Sequence, residues 1–217
     1  VLDQGPGAPA RGRLAPHPYD HVAVTQLLNA HAKLRVLDAG FFRAAMDWLT
    51  PARLSECSPQ SLAIALHALA KFPGLYRGRE ELLRLRALFA TFAPEILRRA
   101  GDFTVQNLVN SVQAFSLVRV CEPDLLAEAA QQLLARQASW KTQDIANLAS
   151  SLARVEYFHA EVFPSLASAT ARMCEDFRSD ELATLLNALA HYVRQPQDGA
   201  ARRTRAAAAH AAAVMPA

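Results

Sequence analysis

Asn110, Gln113, Asn147, Ser150, Thr184 and Asn187 are the residues here whose types and spacing best suit recognition chemistry. They form pairs three residues apart, and each pair returns 37 residues later. Carboxamides and hydroxyls both donate and accept, so they suit the edges of unstacked nucleic-acid bases. Gln26 and Asn29 occupy the same two places in an earlier segment, and His67 occupies the second of them. Gln60, Gln106 and Gln143 stand one helical turn before, and Lys33, Lys71, Arg154 and His191 one turn after. Spacings of three and four put all sixteen on one stripe of a recurring helix. Lys33, Lys71 and Arg154 would lie near a phosphate. A solvated helix face is ordinarily Glu and Lys, whereas Asn, Ser and Thr are poor helix formers. Their return at equivalent places suggests contact with RNA. The alternative is that they solvate this face or link neighbouring segments by hydrogen bonds.

Catalytic and metal-binding patterns are missing from the sequence. There is no GxxxxGK[ST], no GxGxxG after a strand, no HExxH and no paired-Cys zinc spacing. The expectation is a non-enzyme with no cofactor, no metal and no small-molecule substrate.

The elements that position the stripe come from a repeat. Segments opening at Tyr19, Cys57, Phe103, Trp140 and Phe177 align, with starts 38, 46, 37 and 37 residues apart. Counting each opening residue as position 0, positions 5, 6, 9, 12 and 13 are apolar or small. They read Leu62, Ala63, Leu66, Leu69 and Ala70 in the second copy, Ile145, Ala146, Ala149, Leu152 and Ala153 in the fourth, and Leu182, Ala183, Leu186, Leu189 and Ala190 in the fifth. That spacing defines one helix face for burial. Ser58, Thr104, Thr142 and Ser179 sit where an N-cap belongs. The aromatic Phe103, Trp140 and Phe177 precede them as candidate staples. A second helix is expected near 39–49, 79–99, 123–137, 160–175 and 199–213, with Pro94 dividing the second of these.

A fixed period of this size predicts an all-α chain, an α-solenoid of five stacked helical hairpins. The layout is an extended arm over 1–18, the repeats over 19–198, and an Ala-rich helix or tail over 199–217. Only 8 glycines, and few β-branched residues beside Ala and Leu, agree with helix. No apolar run reaches membrane-spanning length.

Net charge is +3, unevenly placed. The first hundred residues carry 13 Lys and Arg against 8 Asp and Glu, and the remainder 10 against 12, so the N-terminal half better suits an anionic partner. Three scattered cysteines without CxxC argue for a reducing compartment. Residues 1–18, rich in Pro, Gly, Ala and Arg, resemble the remainder of an organellar presequence or an extended arm.

The segments Phe103–Val118, Trp140–Val155 and Phe177–Tyr192, with Cys57–Phe72 close behind, share a pattern that resembles octotricopeptide repeats. It is similar also to heptatricopeptide repeats and to the helical repeats of FAST-kinase-like proteins. The resemblance covers residues 19–195. It implies an organellar α-solenoid that binds RNA along the first helices, with positions 7 and 10 facing bases. Many members end in a RAP domain, and no such segment is evident here, which favours a component of a larger particle. The resulting expectation is a structural protein of a mitochondrial ribosome that holds rRNA, with neighbouring ribonucleoprotein subunits as partners, in the mitochondrial matrix or alternatively the chloroplast stroma. The competing expectations are a protein–protein scaffold and a free RNA-maturation factor.

Overall fold

A computed structural model describes residues 20–194, apart from 73, 74 and 77. The expected arm over 1–18 and the Ala-rich segment 199–213 lie outside these residues. The described chain is helical, with no strand. In order the helices are α1 (His21–Leu34), α2 (Ala39–Trp48), α3 (Pro51–Glu56), α4 (Pro59–Ala70), α5 (Arg79–Arg98), α6 (Val105–Leu117), α7 (Pro123–Ala135), α8 (Thr142–Arg154), α9 (Val162–Arg172) and α10 (Ser179–Val193). None is long and apolar enough to cross a membrane.

Two layers result, as the repeat requires. The first helices of the repeats, α1, α4, α6, α8 and α10, pack each on the next. The second helices make the other layer through α3, α5, α7 and α9. One cluster of buried apolar side chains runs from Val24 to Ala188 between them. Phe89 of α5 meets Phe115 of α6 edge-on at 5.1 Å, and Phe163 of α9 stacks on Tyr192 of α10 at 4.5 Å.

Each inner helix has a backward and a forward side. Positions 8 and 11 are buried in every repeat that has a helix before it: Ala65 and Ala68, Ser111 and Ala114, Leu148 and Ser151, Leu185 and Ala188. In α1 the same positions, Leu27 and Ala30, are exposed. Positions 5, 6 and 9 are buried in α1, α4, α6 and α8, where a helix follows. The expectation for the fifth copy therefore fails. Leu182 and Leu189 are half-buried and Ala183, Leu186 and Ala190 are exposed, because no described helix follows α10.

Side-chain caps start several helices. Asp20 accepts from the Ala23 N–H at 2.7 Å, Ser58 from Ser61 at 3.1 Å and Thr104 from Asn107 at 3.2 Å. Thr142 and Ser179 do not cap; each is the first helical residue. There the third helical residue reaches back instead, Asp144 accepting from the Lys141 N–H and Glu181 from Arg178, both at 3.2 Å. A carboxylate at that place also suits the positive end of the helix dipole.

Pro94 does not divide α5, which continues for 20 residues. Breaking an N–H ladder with proline costs about 3 kcal/mol, while each buried Phe or Ile recovers about 1.5–3 kcal/mol. Phe89, Phe92 and Ile96 are all fully buried and Pro94 faces out. The length of α5, against 13 residues in α7, accounts for most of the extra length of the second repeat. In the first repeat the second helix is split. Pro51 starts α3 after a break at Leu49–Thr50, an element the periodicity did not announce.

Three inner helices end the same way. Arg35, Arg119 and Glu156, all at position 16, have φ of 56, 58 and 55°. The next residue donates back to the fifth residue before it: Val36 to His31, Val120 to Phe115 and Tyr157 to Leu152, at 2.9–3.0 Å. This left-handed turn satisfies the last carbonyls, usually with glycine.

Candidate nucleic-acid interface

The polar stripe rides on the inner layer. Gln26, Asn29 and Lys33 are on α1; Gln60 and His67 on α4, with Lys71 at its C-cap; Gln106, Asn110 and Gln113 on α6; Gln143, Asn147, Ser150 and Arg154 on α8; Thr184, Asn187 and His191 on α10. None of the sixteen is buried.

The carboxamides are held ready rather than used. Gln26, Asn29, Gln60, Gln106, Asn110, Gln113, Gln143, Asn147 and Asn187 form no side-chain hydrogen bond with another described residue. The alternative that they tie neighbouring repeats together therefore fails among the described residues. The hydroxyls differ. Ser150 donates to the Asn147 carbonyl at 3.1 Å and Thr184 to the Asp180 carbonyl at 2.8 Å. Their protons belong to the helix, so toward a ligand they are acceptors.

The structure gathers five of the sixteen. Ser150 and Arg154 of α8 and Thr184, Asn187 and His191 of α10 line one open cleft of about 580 Å3, together with Ala153, Ala183 and Ala188. Small residues between the two helices leave this room.

His67 is set apart. It is half-buried, its Nδ1 has no hydrogen-bond partner, and burial followed by the Lys71 charge pushes its pKa below the ordinary value. It is a neutral ring at pH 7. Burial pushes the Cys57 and Cys121 thiols up to about 11, so neither is a nucleophile. No group of three His, Cys, Asp or Glu among the described residues is placed to hold a metal.

Hydrogen bonds over long stretches of sequence come from arginines, of which only Arg154 is on the stripe. Arg99 Nη1 donates to the Cys57 carbonyl at 2.7 Å and Arg136 Nη1 to the Phe103 carbonyl at 2.5 Å. Arg119 Nη1 donates to the Arg154 carbonyl at 3.0 Å, and Arg154 Nη1 to Ser116 Oγ at 3.3 Å. The available signal was an arginine four residues before the opening residue of three repeats: Arg53, Arg99 and Arg136. The first two bonds each close one repeat, tying the end of α5 to the start of α4 and the end of α7 to the start of α6, and the other two join the ends of α6 and α8. The inner helices therefore run parallel.

Fold and surface together define an α-solenoid whose inner layer carries a polar, mostly uncharged face. The family model for RESC6, the RNA-editing substrate-binding complex 6 protein, matches residues 83–202. This chain belongs to that family. The match takes in α6, α8 and α10 with ten of the sixteen stripe residues. No curated protein matches the chain.

Proposed function

We propose that the chain is a non-catalytic RNA-holding subunit of a mitochondrial RNA-editing assembly, with single-stranded RNA lying along the inner layer. The observation that carries this reading is the set of nine exposed or half-exposed carboxamides, repeated on successive helices and left out of the fold's own hydrogen bonds. The family's description names a complex that binds RNA-editing substrates. The octotricopeptide-like pattern supports an organellar location, and the complex named in the description supports a partnership with other subunits. Stacking or base-edge contacts contribute about 1–3 kcal/mol per base, so five repeats discriminate modestly and neighbouring subunits add the rest.

The narrower expectation, an rRNA-holding protein of a mitochondrial ribosome, uses the same stripe with a different RNA. Ultraviolet crosslinking in the native assembly, with the RNA sequenced and the attached residues mapped, separates the two. Edited transcripts joined at Asn110, Asn147 or Asn187 support the editing assembly. Ribosomal RNA at those residues moves the protein to the ribosome. Absence of any crosslink in an intact assembly leaves a protein–protein scaffold.

A further inference from the structure

The inner helices α4, α6, α8 and α10 each end on a cation. Lys71 caps α4, Arg119 follows the cap of α6, Arg154 closes α8 and Arg194 caps α10. None of the four forms an ion pair with a described residue. Because the inner helices run parallel, these cations share one edge of the layer. Glu156 follows the end of α8, and Glu122, three residues beyond Arg119, stands at the start of α7. The opposite edge carries Asp102, Asp144, Asp180 and Glu181 together with Lys141 and Arg178.

Helix dipoles alone would draw an anion the other way. They put roughly +0.5 charge at each N-terminus and −0.5 at each C-terminus. The whole charges of Lys71, Arg119, Arg154 and Arg194 outweigh the partial negative charge of the helix ends that carry them. Arg119 and Arg154 concentrate the effect. Arg119 holds the Arg154 carbonyl and Arg154 holds Ser116, so each engages one of five N–H donors. Two guanidinium groups meet here without a carboxylate, and burial followed by the Arg119 charge holds the Arg154 guanidinium below its usual range. An oxyanion across both forks would relieve the repulsion by charge-assisted hydrogen bonds.

We propose that this edge is the track of the RNA sugar-phosphate backbone, with Arg119 and Arg154 as its tightest phosphate site. The bases then reach from that edge across the carboxamide stripe. RNA fits better than an acidic protein segment, because a carboxylate chain offers the adjacent carboxamides no base edges. The proposal rests on the RNA-holding reading above.

The test measures the salt dependence of binding between the full chain and a fluorescent single-stranded RNA of mixed sequence, about 20 nucleotides long, over about 50–200 mM KCl. Each phosphate contact on a single strand adds about 0.7 to the slope of log affinity against log salt. The triple variant Lys71→Gln, Arg154→Gln, Arg194→Gln should lower that slope by about 2. Glu156→Arg, which leaves every contact in place, should raise it by about 0.7. Unchanged slopes in both variants, while alanines on the stripe weaken binding, overturn the edge and leave the RNA reading intact. A wild type that holds no RNA overturns both, and retention of polyglutamate instead assigns the edge to an acidic protein partner.

Discussion

The guanidinium of Arg99 lies against the backbone carbonyl of Cys57, Nη1 to O at 2.7 Å, across 42 residues of sequence. Arg136 repeats the contact with Phe103 one repeat later. The residue at the same offset before Phe177 is Met173, so the arginine clamp closes the second and third repeats and apolar packing takes its place in the fourth. A hydrogen bond from a charged donor contributes about 1.5–3 kcal/mol. Arg136→Ala should therefore destabilise the chain by about that amount, read as a lowered urea midpoint with an unchanged slope. A loss below about 0.5 kcal/mol would remove the clamp from the list of interactions that matter.

Replacing Asn110, Gln113, Asn147 and Ser150 together by Ala should weaken RNA retention at least tenfold, since each lost base contact accounts for about 1–3 kcal/mol. The fold should be untouched or slightly more stable, because Ala is the better helix former. Unchanged retention with an unchanged melting curve would place RNA elsewhere on the molecule.

The architecture was legible because spacings of three and four recur with the period, and a helix packed on both sides must show that pattern. The backward side was not. Ala68, Ser111, Ala114 and Ser151 are buried by close approach of helices rather than by their own hydrophobicity, so they read as neutral. The arginine clamps were hidden for another reason: a long side chain acting across 33 or 42 residues leaves no local periodicity. Pro94 misled because its local cost is visible in sequence and the burial of Phe92 and Ile96 beside it is not. On the stripe, residue types and layer were readable, but not that the Ser150 and Thr184 protons are held by their own helix.

Glu156 has φ 55°, a left-handed turn that costs an ordinary residue about 1–2 kcal/mol. Glu156→Gly should stabilise the chain by about 0.5–1 kcal/mol, the entropy of glycine in the unfolded chain offsetting part of the relief. Thermal unfolding checks it, and a lower melting temperature would mean that the Glu156 side chain contributes something the backbone geometry does not reveal.

Cys174 is exposed while Cys57 and Cys121 are buried with thiols near 11. Alkylation of the native chain at mild pH should therefore label Cys174 fast and the other two only on unfolding. Mass spectrometry of the peptides reads this directly; rapid labelling of Cys57 would mean that the α3–α4 junction opens readily.

His67 gives stability a pH dependence of predictable sign. Its folded pKa is below the ordinary value of about 6.5, so in mildly acid solution the unfolded chain binds a proton that the folded chain refuses. The His67 contribution is at its full value above about pH 6.5 and declines as pH falls from there toward the folded pKa. His67→Gln should flatten the melting temperature in that window relative to wild type. An equal slope in both proteins would transfer the effect to other groups.

The forward and backward sides of the inner helices give the layer a direction, and direction makes length a modular property. A helix offering its positions 8 and 11 fits behind any helix offering its positions 5 and 9. A duplicated unit spanning 140–176 would thus find a matching neighbour on each side. It would lengthen the polar face by one helix spacing, about 8–10 Å, without disturbing the contacts already made. Half a unit has no such place. The reach of this surface grows in whole steps, each bringing one more pair of carboxamides and hydroxyls and one more terminal cation.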